Sequence, residues 1–219
     1  MGQGWRASCG CWAAPCTCCS RSTSYGVWIH HEHFDIQHLN PAWFMPIVGN
    51  VLVPLVGVPL GFIEVSWFFF SIGILFWLIL FVIVLYWVLF HAPLAERLMP
   101  TLFILIAPPA VGFAACVQLT GGLDPFARVL YYSGLFLTLL LATQVGRFLR
   151  VPFSLSAWAY AFPLAAMTIA TLGIYRQTGA LGFAMLGWTL LTLVSLVVVY
   201  LLARTARAVA DGKICMPAS

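Results

Sequence analysis

Six apolar runs follow one another along the chain, at 42–60, 65–90, 99–119, 127–142, 154–175 and 181–202, with short polar breaks between them. A helix that crosses a bilayer needs about 20 predominantly apolar residues, and none of these runs shows the strict alternation of a barrel strand. The pattern predicts an all-α polytopic membrane protein. Proline then sorts the runs into two kinds. Pro46 and Pro54 fall in the first run, Pro108 and Pro109 in the third, and Pro163 in the fifth, while the second, fourth and sixth have none. A proline inside a helix removes one backbone donor and bends the chain. Bent spans therefore alternate with straight ones, and the marking prolines recur every 54 or 55 residues. Such a period reads as tandem helical hairpins, with the proline-kinked members gathered around a pore and the straight members outside. The second run, aromatic at both ends, suits an outer wall with interfacial anchors.

Composition agrees with that class: 63% of the chain is hydrophobic and 7% charged, against about 45–50% and 25% in soluble domains. The basic residues add an orientation. Arg6, Arg21, Arg97, Arg147, Arg150, Arg204, Arg207 and Lys213 fall on one side of the expected topology, and only Arg128 and Arg176 on the other. Excess Lys and Arg marks the cytoplasmic side, so both termini are expected in the cytoplasm, with a bacterial inner (plasma) membrane as the setting. The net charge of +4 is this asymmetry, and no nucleic-acid surface is read into it.

Two stretches ahead of the first span carry chemistry of their own. Residues 1–24 hold Cys9, Cys11, Cys16, Cys18 and Cys19 without the paired spacing of a zinc site, and read as a disordered leader or a mis-assigned start. His30, His31, His33 and His38 cluster near Glu32 and Asp35. Imidazoles and carboxylates together suit a metal, and equally suit interfacial water at a membrane mouth; no metal or other cofactor is assigned. The three bent spans contain no Asp, Glu, Lys, Arg or His. Intramembrane ionisable residues mark coupled sites and proton relays, so a path without them favours weakly held, rapidly passing solutes. Asn50 and Thr168 are candidate polar contacts in such a path, with Ala159, Ala166, Ala170 and Thr171 as small wall residues. Phe162, directly before Pro163, is either a plug or a filler of the space beside the kink.

The segments HLNPAWFMPIVGNVLVPLVG, VSWFFFSIGILFWL, ERLMPTLFILIAPPAVGF and SAWAYAFPLAAMTIATL resemble, in order and at matching separation, the tellurite-resistance/dicarboxylate transporter family. That family includes bacterial tellurite-resistance proteins, malic acid transporters and plant slow anion channels. The resemblance runs from about Tyr25 to the C-terminus. It implies five hairpins, ten spans in all, around a pore lined by kinked helices, and Phe162 falls where the family places a phenylalanine gate. It also implies homotrimers, and small anions as cargo: C4-dicarboxylates such as malate, tellurite-type oxyanions or halide. The first four spans of that pattern are missing here, so the sequence is expected to be a piece of a longer protein. No nucleophile, phosphate loop or nucleotide motif argues for an enzyme. The competing readings are a membrane-embedded metal enzyme using His30, His31, His33 and His38, a scaffold without transport, and an inactive fragment.

Overall fold

A computed structural model describes residues 43–90, 96–148, 150–151 and 153–210. The cysteine-rich leader, the histidine cluster and both chain termini lie outside the described residues. The described residues are helical almost throughout. In chain order they form α1 (Phe44–Val51), α2 (Val53–Gly57), α3 (Ile63–Phe90), a 3-10 segment (Glu96–Ile106) continuing into α4 (Ala107–Thr120), and α5 (Pro125–Ala142). After these come the short α6 (Val145–Phe148), a second 3-10 segment (Leu155–Tyr160) continuing into α7 (Ala161–Thr178), and α8 (Leu181–Ala210). Among the described residues, five helices are long and apolar enough to cross a membrane: 63–90, 99–120, 125–142, 155–178 and 181–210.

In the first expected span, the apolar helix among the described residues runs from Phe44 to Gly57. At 1.5 Å per residue it is about 21 Å long, short of the roughly 30 Å hydrocarbon core.

Each bent span is interrupted just before its marking proline. Pro54 lies in the first turn of α2, Pro108 and Pro109 in the first turn of α4, and Pro163 is the third residue of α7. The first turn of an α-helix has N–H groups without intrahelical partners, so a residue lacking that N–H costs least there. The prolines therefore begin new α segments, and the stretch ahead of the third and fifth is wound as the tighter 3-10 helix.

The straight spans pack beside the bent ones that precede them: α3 on α1 and α2, α5 on α4, and α8 on α7. The bent spans also stand against one another, α1 and α2 on α4 and α4 on α7. The span of α4 is 67% buried, whereas those of α3 and α8 are 28% and 22% buried, so bent helices are inside and straight ones outside. On α3 the buried residues Ser66, Phe70, Gly73, Ile74, Trp77, Leu80 and Val84 form one stripe at helical spacing. Its other faces are apolar and exposed, as a lipid-facing helix requires.

Turn chemistry closes the hairpins. Gly121 (φ 73°) and Gly179 (φ 68°) terminate α4 and α7 in the left-handed conformation, which glycine adopts without steric penalty. Asp124 then caps α5, its carboxylate accepting from the Ala127 N–H at 2.6 Å, and Pro125 opens that helix.

Candidate pore site

The three interruptions converge on one groove of about 500 Å³. The first span contributes Met45, Val48, Gly49 and Leu52, and the third contributes Thr101 and Ile104. The fifth contributes Leu155, Ser156, Trp158, Ala159, Phe162 and Pro163. No lining residue is charged.

Geometry explains why the prolines put the groove here. A proline deprives the carbonyl four residues earlier of its α-helical donor. For Pro108 that residue is Ile104 and for Pro163 it is Ala159; both line the groove. Such loosened backbone is tolerated at membrane depth where it is buried in protein or faces a water-filled cavity.

Phe162 lies at the groove and is 47% exposed, whereas a core phenylalanine such as Phe113 is 1% exposed. Pro163 beside it also lines the groove. The other prolines singled out from sequence do not: Pro54, Pro108 and Pro109 are buried in helix packing, and Pro46 is half-buried in the first turn of α1.

Nor do the polar candidates line it. Asn50 is 2% exposed and sits against Gly73 of α3. Thr168 is 3% exposed and its hydroxyl donates to the Leu164 carbonyl at 2.8 Å. Of the small wall residues, only Ala159 belongs to the groove; Ala166, Ala170 and Thr171 are buried. Thr171 instead receives the Tyr131 hydroxyl at 3.4 Å, which ties α7 to α5.

Aromatic rings fix the segments that carry the groove. Phe103 stands edge-on to Phe148 at 5.0 Å and to Tyr160 at 4.7 Å, linking the two 3-10 segments through α6. Such pairs contribute about 0.5–1.5 kcal/mol each beyond area burial. Trp158 lines the groove while its indole N–H donates to the Thr205 hydroxyl at 3.1 Å, so the end of α8 holds the segment preceding Phe162. These contacts span 45 to 57 residues of sequence and have no local signature, although the aromatics Trp158 and Tyr160 just ahead of Phe162 were a visible hint.

A bundle of bent inner and straight outer helices, with an uncharged groove where the bends meet, defines an all-α polytopic membrane protein. The chain belongs to the SLAC1 family, described as voltage-dependent anion channel, whose family model matches residues 4–206. It is similar to the S-type anion channel SLAH3 of Arabidopsis thaliana, 32% identical over 155 residues that cover 70% of this chain and 24% of that protein. The S-type anion channel SLAH2 of the same plant is 34% identical over 149 residues, covering 68% and 29%. An uncharacterized transporter of Methanocaldococcus jannaschii, MJ0762, is 23% identical over 171 residues, covering 68% and 50%. The chain thus spans about a quarter to a half of the length of these curated relatives. The family match begins at residue 4 and so takes in the cysteine-rich stretch that reads as foreign in the sequence.

Proposed function

We propose that the chain forms part of an anion-conducting pore, that the groove between the three bent spans is a wall of the conduction path, and that Phe162 is its gate. The observation that carries this is the groove itself: residues from all three bent spans line it, none is charged, and Phe162 is half-exposed there. Membership of a family described as anion channel gives the cargo class. Small anions are the proposed solutes, whether C4-dicarboxylates such as malate, tellurite-type oxyanions or halide. A phenyl ring in a narrow apolar passage blocks sterically and by excluding water. Attraction for anions then comes from partial backbone charges that the kinked helices aim at the path rather than from a buried arginine. The proposed setting is the plasma membrane with both termini cytoplasmic, in a homotrimer.

Cysteine substitution tests the path. In a background without the native cysteines, Ala159→Cys should react with a water-soluble methanethiosulfonate, and the adduct should reduce anion flux into liposomes. Leu196→Cys, on the exposed face of α8, should neither react nor change flux. Equal reactivity at the two positions, or flux unaffected by the Ala159 adduct, refutes the groove as a path.

A further inference from the structure

A second cavity, of about 360 Å³, lies between the first 3-10 segment, α5, the 143–153 connection, the second 3-10 segment and α8. It shares no lining residue with the groove. We propose that it seats an acyl chain of an anionic phospholipid whose phosphate is held by arginines at the rim.

The lining is apolar, with Phe103, Leu141, Phe148, Phe153, Leu193 and Leu201 among its residues. Thr138 contributes a hydroxyl that is already spent on the Gly134 carbonyl at 2.8 Å. Basic residues flank the lining positions along the chain. Arg147 lies between the lining residues Val145 and Phe148, and Arg150 directly precedes the lining residue Val151. The guanidinium carbon of Arg204 is 5.3 Å from the ring centroid of Phe153, itself a lining residue. Arg147, Arg150 and Arg204 are exposed. No Asp or Glu occurs anywhere from Pro125 to Ala210, so on the elements that form the cavity the only acid is Glu96, at the start of the first 3-10 segment, against these three arginines.

The combination decides the occupant. A free anion has no use for an apolar cavity, and a neutral hydrophobe has none for an excess of three arginines over one acid. A phosphodiester carrying acyl chains uses both, because guanidinium pairs bidentately with phosphate oxygens and basic pockets between membrane helices take lipid head groups.

Thermal unfolding of the purified full chain in detergent, with dioleoyl phosphatidylglycerol, dioleoyl phosphatidylcholine or soluble glycerol 3-phosphate added, tests this. Phosphatidylglycerol should raise the Tm by about 4 °C or more beyond phosphatidylcholine at saturation, and glycerol 3-phosphate should leave it unchanged. R147Q/R150Q should reduce the phosphatidylglycerol response to the phosphatidylcholine level. R128Q/R176Q, at the opposite ends of the helices, should retain it. Ala142→Phe, which adds a ring at the cavity wall, should weaken the response to both lipids. Equal responses to the two lipids, an equal response to glycerol 3-phosphate, or the same loss in R128Q/R176Q as in R147Q/R150Q overturns the proposal.

Discussion

Gly73→Ala tests whether α3 is pressed against the interruption of the first bent span. A Cβ added at Gly73 would stand 2.6 Å from Val51 Cγ2, 3.1 Å from the Val51 backbone nitrogen and 3.3 Å from Asn50 Cβ. Val51 is fully buried and β-branched, so its methyl has little freedom to turn away, and the backbone nitrogen has none, so α3 and α1 must separate. Overpacking of this kind costs about 1–3 kcal/mol, while replacing a mid-helix glycine by alanine recovers about 1 kcal/mol of helix propensity. The net expectation is a loss of up to about 2 kcal/mol, which corresponds to a Tm lower by about 4–8 °C for a chain of this size. Gly182→Ala supplies the comparison, since nothing lies within 4 Å of its added Cβ; that variant should be as stable as wild type or slightly more so. Thermal unfolding followed by the monodisperse fraction on size exclusion reads both. Gly73→Ala matching Gly182→Ala would show that the two helices are not in the contact described. If they are, flux should also change, because the separation acts next to Leu52, which lines the groove.

Cysteines introduced at Gly146 and Thr178 in a cysteine-free background report orientation: an impermeant thiol reagent added outside should label Thr178→Cys and spare Gly146→Cys, and labelling in the opposite sense would invert the topology. Met167→Ala, at a fully buried residue of α7, should cost about 2–5 kcal/mol in thermal or chemical unfolding, and a loss below about 1 kcal/mol would mean that α7 is not packed as described. Tyr131→Phe should cost no more than about 1.5 kcal/mol, since its bond to Thr171 is long at 3.4 Å and Thr171 keeps its own bond to the Met167 carbonyl at 2.8 Å; a larger loss would show that this hydroxyl carries a network.

The alternation of bent and straight helices was legible because proline acts locally: its missing N–H sets where an α segment can start, whatever surrounds it. Pro54, Pro108, Pro109 and Pro163 accordingly mark all three interruptions. The groove lining was less legible, because the face a residue turns inward is decided by its neighbours. Asn50 and Thr168 stood out as polar groups in apolar spans, yet in a membrane helix a threonine satisfies its hydroxyl on its own preceding turn, as Thr168 does on Leu164. It then packs like a small apolar residue. Gly73 and Gly134, not singled out from the sequence, lie where α3 and α5 approach the interrupted spans. The ring cluster of Phe103, Phe148 and Tyr160 was hidden among 17 phenylalanines, because only the tertiary fold brings those three together. In the first span the apolar run continues past Gly57, while the helix among the described residues ends there.

Anion flux through liposomes, measured per folded protein alongside thermal stability for Phe162→Ala, bears most directly on the proposed gate. Phe162 is 47% exposed at the groove, so removing its ring should raise flux and leave the Tm within a few degrees of wild type. Unchanged flux together with the loss of about 3–5 kcal/mol expected on truncating a core phenylalanine would contradict it, and would make Phe162 a packing residue.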